Sequence, residues 1–384
     1  MSRFRQVVLG AFREQCRAIF RDEGVALILL GAPFIYALLY GAIYGAEVAR
    51  EIPVAVVDEA PTPLSRQLTR ALDAAPEIRI WGRVGSLPEA EALCYAREVH
   101  GIILFPRELT PELITGRQGR VLLLLDASYP ILYRELFKGA TATLQTLGTE
   151  IAIGHLAASG ELTADPLTEL SPVDYRALSP YNPASGYGIF ILPAILLLIL
   201  QQTLLIGQGM IAATRRERSP ETKACSGACL VGRSLALLLI CGAVSLLLLG
   251  VLYPLLGLPM RGSMGGVAMV IIPYLVATTA LAQLLAMGFR QREEALILLL
   301  PTSIPLLMIS GISLPGEALP QGLYALGELI PSSPAMRAFI RAQTLGAPPA
   351  ALSSEATQLW LLALLYTLLL VVATLRRGKK KRAA

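Results

Sequence analysis

Charged side chains are scarce in this sequence. Asp, Glu, Lys and Arg make up 16% of the 384 residues, whereas 54% of the residues are hydrophobic and the mean hydropathy is +0.59. Soluble domains carry about 25% charged residues, so the excess apolar surface requires a solvent other than water. Histidine and tryptophan are also rare, with two of each. The composition argues against a soluble globular protein and favours one that lies largely in a bilayer.

The sequence also lacks the motifs of an enzyme. It contains no G-x-x-x-x-G-K-[ST] loop to cradle phosphates, and its one Gly-Lys pair lies in the tail at 378–379. It contains no G-x-S-x-G nucleophile elbow either. His100 and His155 are isolated, which favours structural roles, and Asp58 and Asp126 follow predicted strands, where turn capping is the favoured role. We predict no catalytic, cofactor-binding or metal site in this chain.

Six hydrophobic runs without a charged residue dominate the chain. A helix needs roughly 20 apolar residues to cross the hydrocarbon core, and it satisfies its own backbone in lipid. The runs cover 24–46, 177–214, 234–260, 262–289, 295–316 and 356–375. They predict an α-helical polytopic membrane protein with six transmembrane helices. The first run exceeds the roughly 7–15 apolar residues of a signal peptide, so we expect it to remain as a membrane anchor.

Basic residues indicate which side of the membrane each segment occupies. Segments 1–23, 215–233, 290–294 and 376–384 together hold 18 of the 33 Lys and Arg residues, with seven acidic residues. Segment 47–176 holds 12 basic and 18 acidic residues. Because cytoplasmic loops collect Lys and Arg, we predict a multi-pass membrane protein with both termini in the cytoplasm. The basic tail then faces anionic lipid, and we predict no nucleic-acid partner.

The segment between the first two runs has the pattern of a folded domain. Its predicted strands cover 52–58, 77–81, 100–105 and 120–125, and its predicted helices cover 64–75, 87–98, 107–113 and 130–158. Strands that alternate with helices predict an α/β fold. We therefore predict an inserted extracytoplasmic α/β domain over 47–186.

Two cytoplasmic segments could contact a partner. Residues 3–20 predict an amphipathic helix at the membrane surface. Its apolar face would hold Phe4, Val8, Phe12 and Ile19, with Arg3, Arg13 and Arg17 beside it. The second segment, 215–233, contains Ser219 and Pro220, a fair N-cap followed by a proline suited to the first helical position. It predicts a short helix between the second and third spans.

In this order, the segments resemble a permease of the ABC-2 type, in the branch with a large extracytoplasmic domain after the first span. The resemblance runs over nearly the whole chain. It is carried by VAVVDEAPTPLSRQLTRAL in the first strand and helix, GIILFPRELTPELITGR in the third strand, Arg216-Glu217-Arg218 after the second span, Gly232-Arg233 at the third, SGISLPGEALP at 310–320 and IPSSPAMRAFIRAQTLGA at 330–347.

The resemblance implies the membrane-spanning permease subunit of an ATP-binding cassette exporter. Such permeases pair as homodimers or with a sister subunit, and separate ATPase subunits, which carry the ATP and Mg, dock beneath them. The implied ATPase-coupling residues are Arg216, Glu217, Arg218, Pro220 and Glu221, and the implied connecting helix includes Phe4, Val8, Phe12, Arg13 and Arg17. The region after Glu217, SPETKACSGACLVGR, is several residues shorter than the family pattern, which implies a reduced docking face or one half of a heterodimer.

These observations divide the chain as follows: a cytoplasmic amphipathic connecting helix (1–23), the first transmembrane helix (24–46), the extracytoplasmic α/β domain (47–186), transmembrane helices two to six (187–375) with a coupling segment (215–233) and an extracytoplasmic hairpin (317–355), and a basic cytoplasmic tail (376–384). In the fifth span, Pro301, Pro305 and Gly311 predict a kink that either forms a gate or serves packing.

Other functions stay open from the sequence. A passive channel or an ion-coupled carrier would need no ATPase, although carriers usually place acidic residues inside their helices and these runs have none. A membrane-anchored receptor would use the external domain as its working part. The absence of charge within the runs favours a lipophilic or amphipathic substrate. A periplasmic adaptor is a further candidate partner.

Overall fold

The computed structural model describes residues 2–44, 49–115, 117–159, 187–218 and 227–383. The chain divides into two compact units. We call Val48–Ser179 the α/β unit, and Met1–Glu47 together with Pro180–Ala384 the helical unit. In chain order the helices are α1 Ser2–Arg21, α2 Glu23–Tyr44, α3 Pro63–Asp73, α4 Leu87–Tyr95, α5 Leu109–Ile114, α6 Pro130–Ser159, α7 Tyr187–Arg218, α8 Gly227–Leu255, α9 Met264–Ala286, α10 Arg292–Leu299, α11 Ser303–Ile309, α12 Gln321–Glu328, α13 Ser332–Gln343 and α14 Ser353–Ala383.

The α/β unit is built on a four-stranded sheet. Its strands are β1 Ile52–Asp58, β2 Ile78–Val84, β3 Gly101–Phe105 and β4 Leu122–Leu125, in the spatial order β2-β1-β3-β4. β1 pairs in parallel with β2 and β3, and β4 is antiparallel to β3. Val54 and Val56 belong to one apolar core and Ala55 and Val57 to a second. A parallel strand that is covered on both faces requires such a continuous apolar run.

Local signals explain where the helices of this unit begin. The side chain of Thr62 accepts a hydrogen bond from the backbone of Ser65 at 3.1 Å, and Ser65 Oγ accepts one from Thr62 N at 2.9 Å. This capping box, followed by Pro63, starts α3. Ser86 caps α4 by accepting a hydrogen bond from Glu89 N. All four predicted strands and all four predicted helices are present, with ends within three residues of the predicted positions.

The helical unit has five helices, among the described residues, that are long and apolar enough to cross a membrane. They are α2, α8 and α9, together with Gly188–Arg218 of α7 and the continuous stretch Pro349–Arg377 that includes most of α14. The predicted six transmembrane helices are therefore not confirmed. The fifth run, 295–316, forms two short helices, α10 and α11, joined by a 3₁₀ turn at Leu300–Thr302. Pro301 lacks the backbone N–H that a continuous helix would require at this point.

Helix α7 lies at the centre of the helical unit, where α2, α9, α10 and α13 pack against it. Two glycines allow its neighbours to approach. A Cβ on Gly207 would lie 2.9 Å from Leu29 Cδ1 of α2, and a Cβ on Gly209 would lie 2.7 Å from Ala295 Cβ of α10. Small residues permit such close packing between helices in a membrane. The predicted hairpin at 317–355 contains α12 and the buried α13.

Candidate functional site

Helix α1 packs on the start of α8 through one face. Ala11, Gln15 and Ile19 are buried on that face, and Val8 and Phe12 are half-buried between them. Val8, Phe12 and Ile19 of the predicted apolar face thus pack within the helical unit, whereas Phe4, one turn before Val8 on the same face, is 57% exposed. Arg13 and Arg17 are exposed, as their predicted position beside the face requires.

Gly232 marks the point at which α1 crosses α8. A Cβ at this position would overlap the carbonyl oxygen of Val8 and lie 2.9 Å from Ala11 Cβ. The backbones of the two helices therefore approach more closely here than any larger residue would allow. Gly232 therefore sets the point on α8 at which α1 packs.

A carboxylate of α1 joins the end of α7 to the start of α8. Glu14 Oε1 lies 2.9 Å from Arg215 Nε and 3.6 Å from Arg233 Nη2. Beside it, the buried Gln15 donates to Gln208 Oε1 at 2.8 Å and accepts from Arg215 at 3.1 Å. Arg215 and Arg233 are the first and last residues of the predicted coupling segment 215–233. Both ends of that segment are thus attached to one residue of α1.

A second ion pair connects the start of α2 with α10. Arg292 donates to both carboxylate oxygens of Asp22, in one case at 2.6 Å. Asp22 also caps α2 by accepting a hydrogen bond from Val25 N at 3.1 Å. The hydrogen bond from Arg292 lowers the pKa of Asp22 below its usual range. We refer to Glu14, Gln15, Asp22, Arg215, Arg233 and Arg292 together as the junction.

The predicted coupling residues differ in their surroundings. Arg216 donates to the carbonyl oxygens of Ala286, at 3.0 Å, and Phe289, so it caps the C-terminal end of α9. Glu217 and Arg218 are exposed at the end of α7. Pro220 and Glu221 lie outside the described residues. Of the three described members, Arg216 therefore has a clear packing role, whereas Glu217 and Arg218 remain accessible to a partner.

The candidate gate lies at the break between α10 and α11. The amide nitrogen of Gln202, on α7, lies 3.0 Å from Leu299 O, 2.9 Å from Thr302 Oγ1 and 3.0 Å from Ser303 Oγ. Gln202 is 5% exposed. At this 3₁₀ turn Ser303 N donates to Leu300 O rather than to Leu299 O, and the Gln202 amide supplies a donor to the Leu299 carbonyl.

The other two predicted gate residues have simpler roles. Pro305 is in the first turn of α11, where its missing N–H costs no hydrogen bond. Gly311 follows α11 and has a φ of +79°, in the left-handed region that favours glycine. The neighbouring carbonyl of Ser310 accepts a hydrogen bond from Arg337 at 2.8 Å, and Arg337 also pairs with Glu328 at 2.7 Å. These contacts hold the chain next to Gly311, and its role in a gate stays a prediction.

Comparison with protein families supplies the identification. A family model described as ABC-2 family transporter protein matches residues 24–372, which include all of the α/β unit and most of the helical unit. The chain belongs to the ABC-2 transporter family. The resemblance seen in the sequence is confirmed. This ABC-2 permease is a multi-pass transmembrane protein of an ABC transporter family. A comparison with curated proteins finds no significant match. The matched region begins after α1, so the family assignment does not depend on the connecting helix.

Sequence reasoning missed the amide groups inside this ABC-2 permease. Gln15, Gln202 and Gln208 are each at most 5% exposed, and each joins two helices. Their positions within apolar runs or on an apolar helix face were an available signal, because a buried amide requires partners. The hydrophobic runs were defined by the absence of formal charge, so uncharged polar groups did not enter the prediction.

Proposed function

We propose that this ABC-2 permease is the membrane-spanning subunit of an exporter and that a separate ATPase subunit drives it from the cytoplasmic side. The observation that carries the proposal is that Glu14 contacts both Arg215 and Arg233, the two ends of the coupling segment 215–233. A partner that moves this segment would also move α1, α7 and α8. ATP and Mg would be bound by the partner, since this sequence has no phosphate-cradling loop.

The exposed end of α7 would form part of the docking surface. Glu217 and Arg218 are exposed within the coupling segment 215–233, while Arg216 is engaged with α9. Together with Pro220, Glu221 and the connecting helix α1, they make up the proposed contact region. A second permease, identical or a sister chain, would complete the transporter.

We propose that six segments cross a bacterial inner membrane, with the broken pair α10 and α11 as the fifth crossing. Both termini and segments 215–233 and 290–294 would be cytoplasmic, and the α/β unit and the hairpin at 317–355 would lie outside. The distribution of Lys and Arg supports this arrangement. Impermeant thiol labelling of Glu91→Cys and Lys380→Cys in a cysteine-free background tests it. Labelling of Lys380→Cys from outside would contradict it.

The substrate would be lipophilic or amphipathic, and a path for it would pass beside α7 and the α10–α11 break. The uncharged runs support this substrate class. The Gln202 amide supports a gating role for the break, because its hydrogen bonds with Leu299 and Ser303 could form in one state and separate in another.

Reconstitution tests the proposed function. Vesicles that contain the permease and its ATPase should export a lipophilic dye only when ATP is present, and detergent extraction should recover the two proteins together. Vesicles with the permease alone should be inactive. Substrate movement through the permease alone would favour a channel or an ion-coupled carrier, and specific ligand binding by the α/β unit without transport would favour a receptor.

A further inference from the structure

A cavity lies between α1 and the end of α7. Its volume is about 320 Å³, and its lining includes Arg17 and Arg21 of α1 and Arg215 and Arg218 of α7. Glu14 and Asp22 are the acidic residues of the lining. Four guanidinium groups against two carboxylates leave the lining with a formal excess of positive charge. The excess indicates an anionic ligand.

The two carboxylates are already engaged. Glu14 pairs with Arg215 at 2.9 Å, and Asp22 pairs with Arg292. Within the part of the chain that the structure describes, Arg17, Arg21 and Arg218 form no ion pair. The charge that remains in the cavity therefore comes from three arginines whose planar N–H groups are available to a ligand. Such groups match the oxygens of phosphate in a bidentate geometry.

Thr214 is an independent indication. This residue also lines the cavity, and its hydroxyl is buried with no hydrogen-bond partner among the described residues. A buried hydroxyl is usually paired, and a phosphate oxygen is a suitable acceptor for it. The cavity thus contains arginines that no carboxylate neutralises and the Thr214 hydroxyl, which has no partner among the described residues.

We propose that this cavity binds the phosphate of an anionic phospholipid headgroup. A lipid is favoured over a soluble phosphate because Phe20, which lies between Arg17 and Arg21 in the sequence, is 65% exposed, and Leu27 at the start of the membrane helix α2 is 58% exposed. These apolar side chains can contact acyl chains while the arginines hold the headgroup. The volume lies at the lower end of the roughly 300–1,000 Å³ range of ligand sites, which fits a headgroup rather than a whole lipid.

The bound lipid would occupy the junction itself. Arg215 lines the cavity and also pairs with Glu14, so a headgroup would contact the same residue that joins α7 to α1. The lipid would then stabilise the position of α1 against α7. The proposal requires only that the helical unit lies in a bilayer, and it does not depend on which partner drives the permease.

The experiment measures lipid binding by the purified full-length permease without an ATPase. Short-chain phosphatidylglycerol is compared with phosphatidylcholine of the same chain length, and inorganic phosphate and glycerol phosphate serve as soluble probes. The test variant is Arg17→Gln with Arg21→Gln. The matched control is Arg3→Gln with Arg5→Gln, which removes the same charge from α1 but lies outside the cavity lining. Thermal unfolding in each case reports whether the variant is folded.

We expect phosphatidylglycerol to bind more tightly than phosphatidylcholine and the test variant to bind it about 20- to 30-fold more weakly. Each juxtamembrane arginine contributes about 1 kcal/mol, which is about fivefold in affinity. The control should change affinity less than threefold, and Thr214→Val, which keeps the charge, should weaken binding a few-fold. Any one of three results would overturn the proposal: equal loss in both double variants, equal binding of the two lipids, or soluble phosphate binding as tightly as the lipid. Undiminished affinity in the test variant would also do so, and would leave Arg17 and Arg21 to the partner contact region proposed above.

Discussion

Arg215 and Arg233 contact the same carboxylate oxygen, Glu14 Oε1, at 2.9 and 3.6 Å. The two arginines belong to consecutive membrane helices, and Glu14 belongs to the helix that precedes both. One side chain therefore attaches the chain on both sides of segment 219–226 to α1. This relationship gives the proposed coupling its geometry, and it can be removed by a single substitution.

Replacing Glu14 by Gln should weaken coupling more than stability. Glu14 is 54% exposed, so its ion pairs contribute little to folding, within about 1 kcal/mol, whereas loss of its charge removes the common partner of Arg215 and Arg233. We expect a several-fold fall in permease-stimulated ATP hydrolysis in proteoliposomes, with a nearly unchanged thermal midpoint. Glu293→Gln, at an exposed glutamate on α10, is the control. Equal stimulation in wild type and Glu14→Gln would exclude Glu14 from coupling.

Replacing Glu217 by Ala or Lys should reduce export and ATPase stimulation while membrane insertion stays intact. Glu217 is exposed at the end of α7, so its substitution removes no packing within the permease. The Lys variant should be the more severe because it reverses the charge offered to the partner. Insertion is measured by carbonate extraction, and ATPase association by co-purification. Normal transport by the Lys variant would remove Glu217 from the docking surface.

Replacing Gly232 by Ala should displace α1. The added Cβ would overlap the Val8 carbonyl, and overpacking of this kind typically costs about 1–3 kcal/mol. A lower thermal midpoint and faster proteolysis between α1 and α2 are the expected results. Gly242→Ala on the same helix is the matched control, because a Cβ there meets no atom within 4 Å. If the two variants had the same midpoint, α1 would not be held at Gly232.

The Asp22–Arg292 pair should make stability depend on acid pH. The pKa of Asp22 is lowered in the folded protein from its ordinary value of 3.8. The stabilisation is therefore present above pH 3.8 and is lost as the pH falls through the lower, folded value. Asp22→Asn keeps an N-cap side chain but not the charge, so it should be less stable at pH 7 and less sensitive to acid. Thermal midpoints between pH 3 and 7 measure both effects, and parallel profiles for the two proteins would contradict them.

Replacing Gln202 by Leu should loosen the break between α10 and α11. The substitution removes a donor to the Leu299 carbonyl at a site that is 5% exposed. Hydrogen bonds between membrane helices contribute on average about 0.6 kcal/mol, so faster amide exchange in 292–309 is expected without unfolding. Thr203→Val is the control, because the Thr203 hydroxyl donates only to carbonyls of α7 itself, at 2.9 Å to Ile199 O and 3.2 Å to Leu200 O. Unchanged exchange in Gln202→Leu would show that the break needs no support from α7.

Much of the α/β unit could be predicted from its sequence because its signals are local. The apolar run of β1 and the Thr62–Pro63–Ser65 cap each act within a few residues, and both lie where the pattern indicates. For the candidate site the outcome is mixed. The sequence predicted the helix α1 but not the hydrogen bond by which Arg216 caps α9, and the role of Arg216 in coupling stays a prediction.

Composition and periodicity by themselves determined that this chain is a membrane protein with an α/β segment, because hydrophobic length and strand and helix patterns are properties of short stretches. Only the tertiary structure decided that run 295–316 divides at Pro301 and that Glu14 meets Arg215 and Arg233. The reason is that the Leu299 carbonyl and the Glu14 carboxylate are stabilised by groups from distant parts of the sequence, which come close only in the folded chain. Gln202 lies about one hundred residues before the break it supports, and no local pattern connects the two.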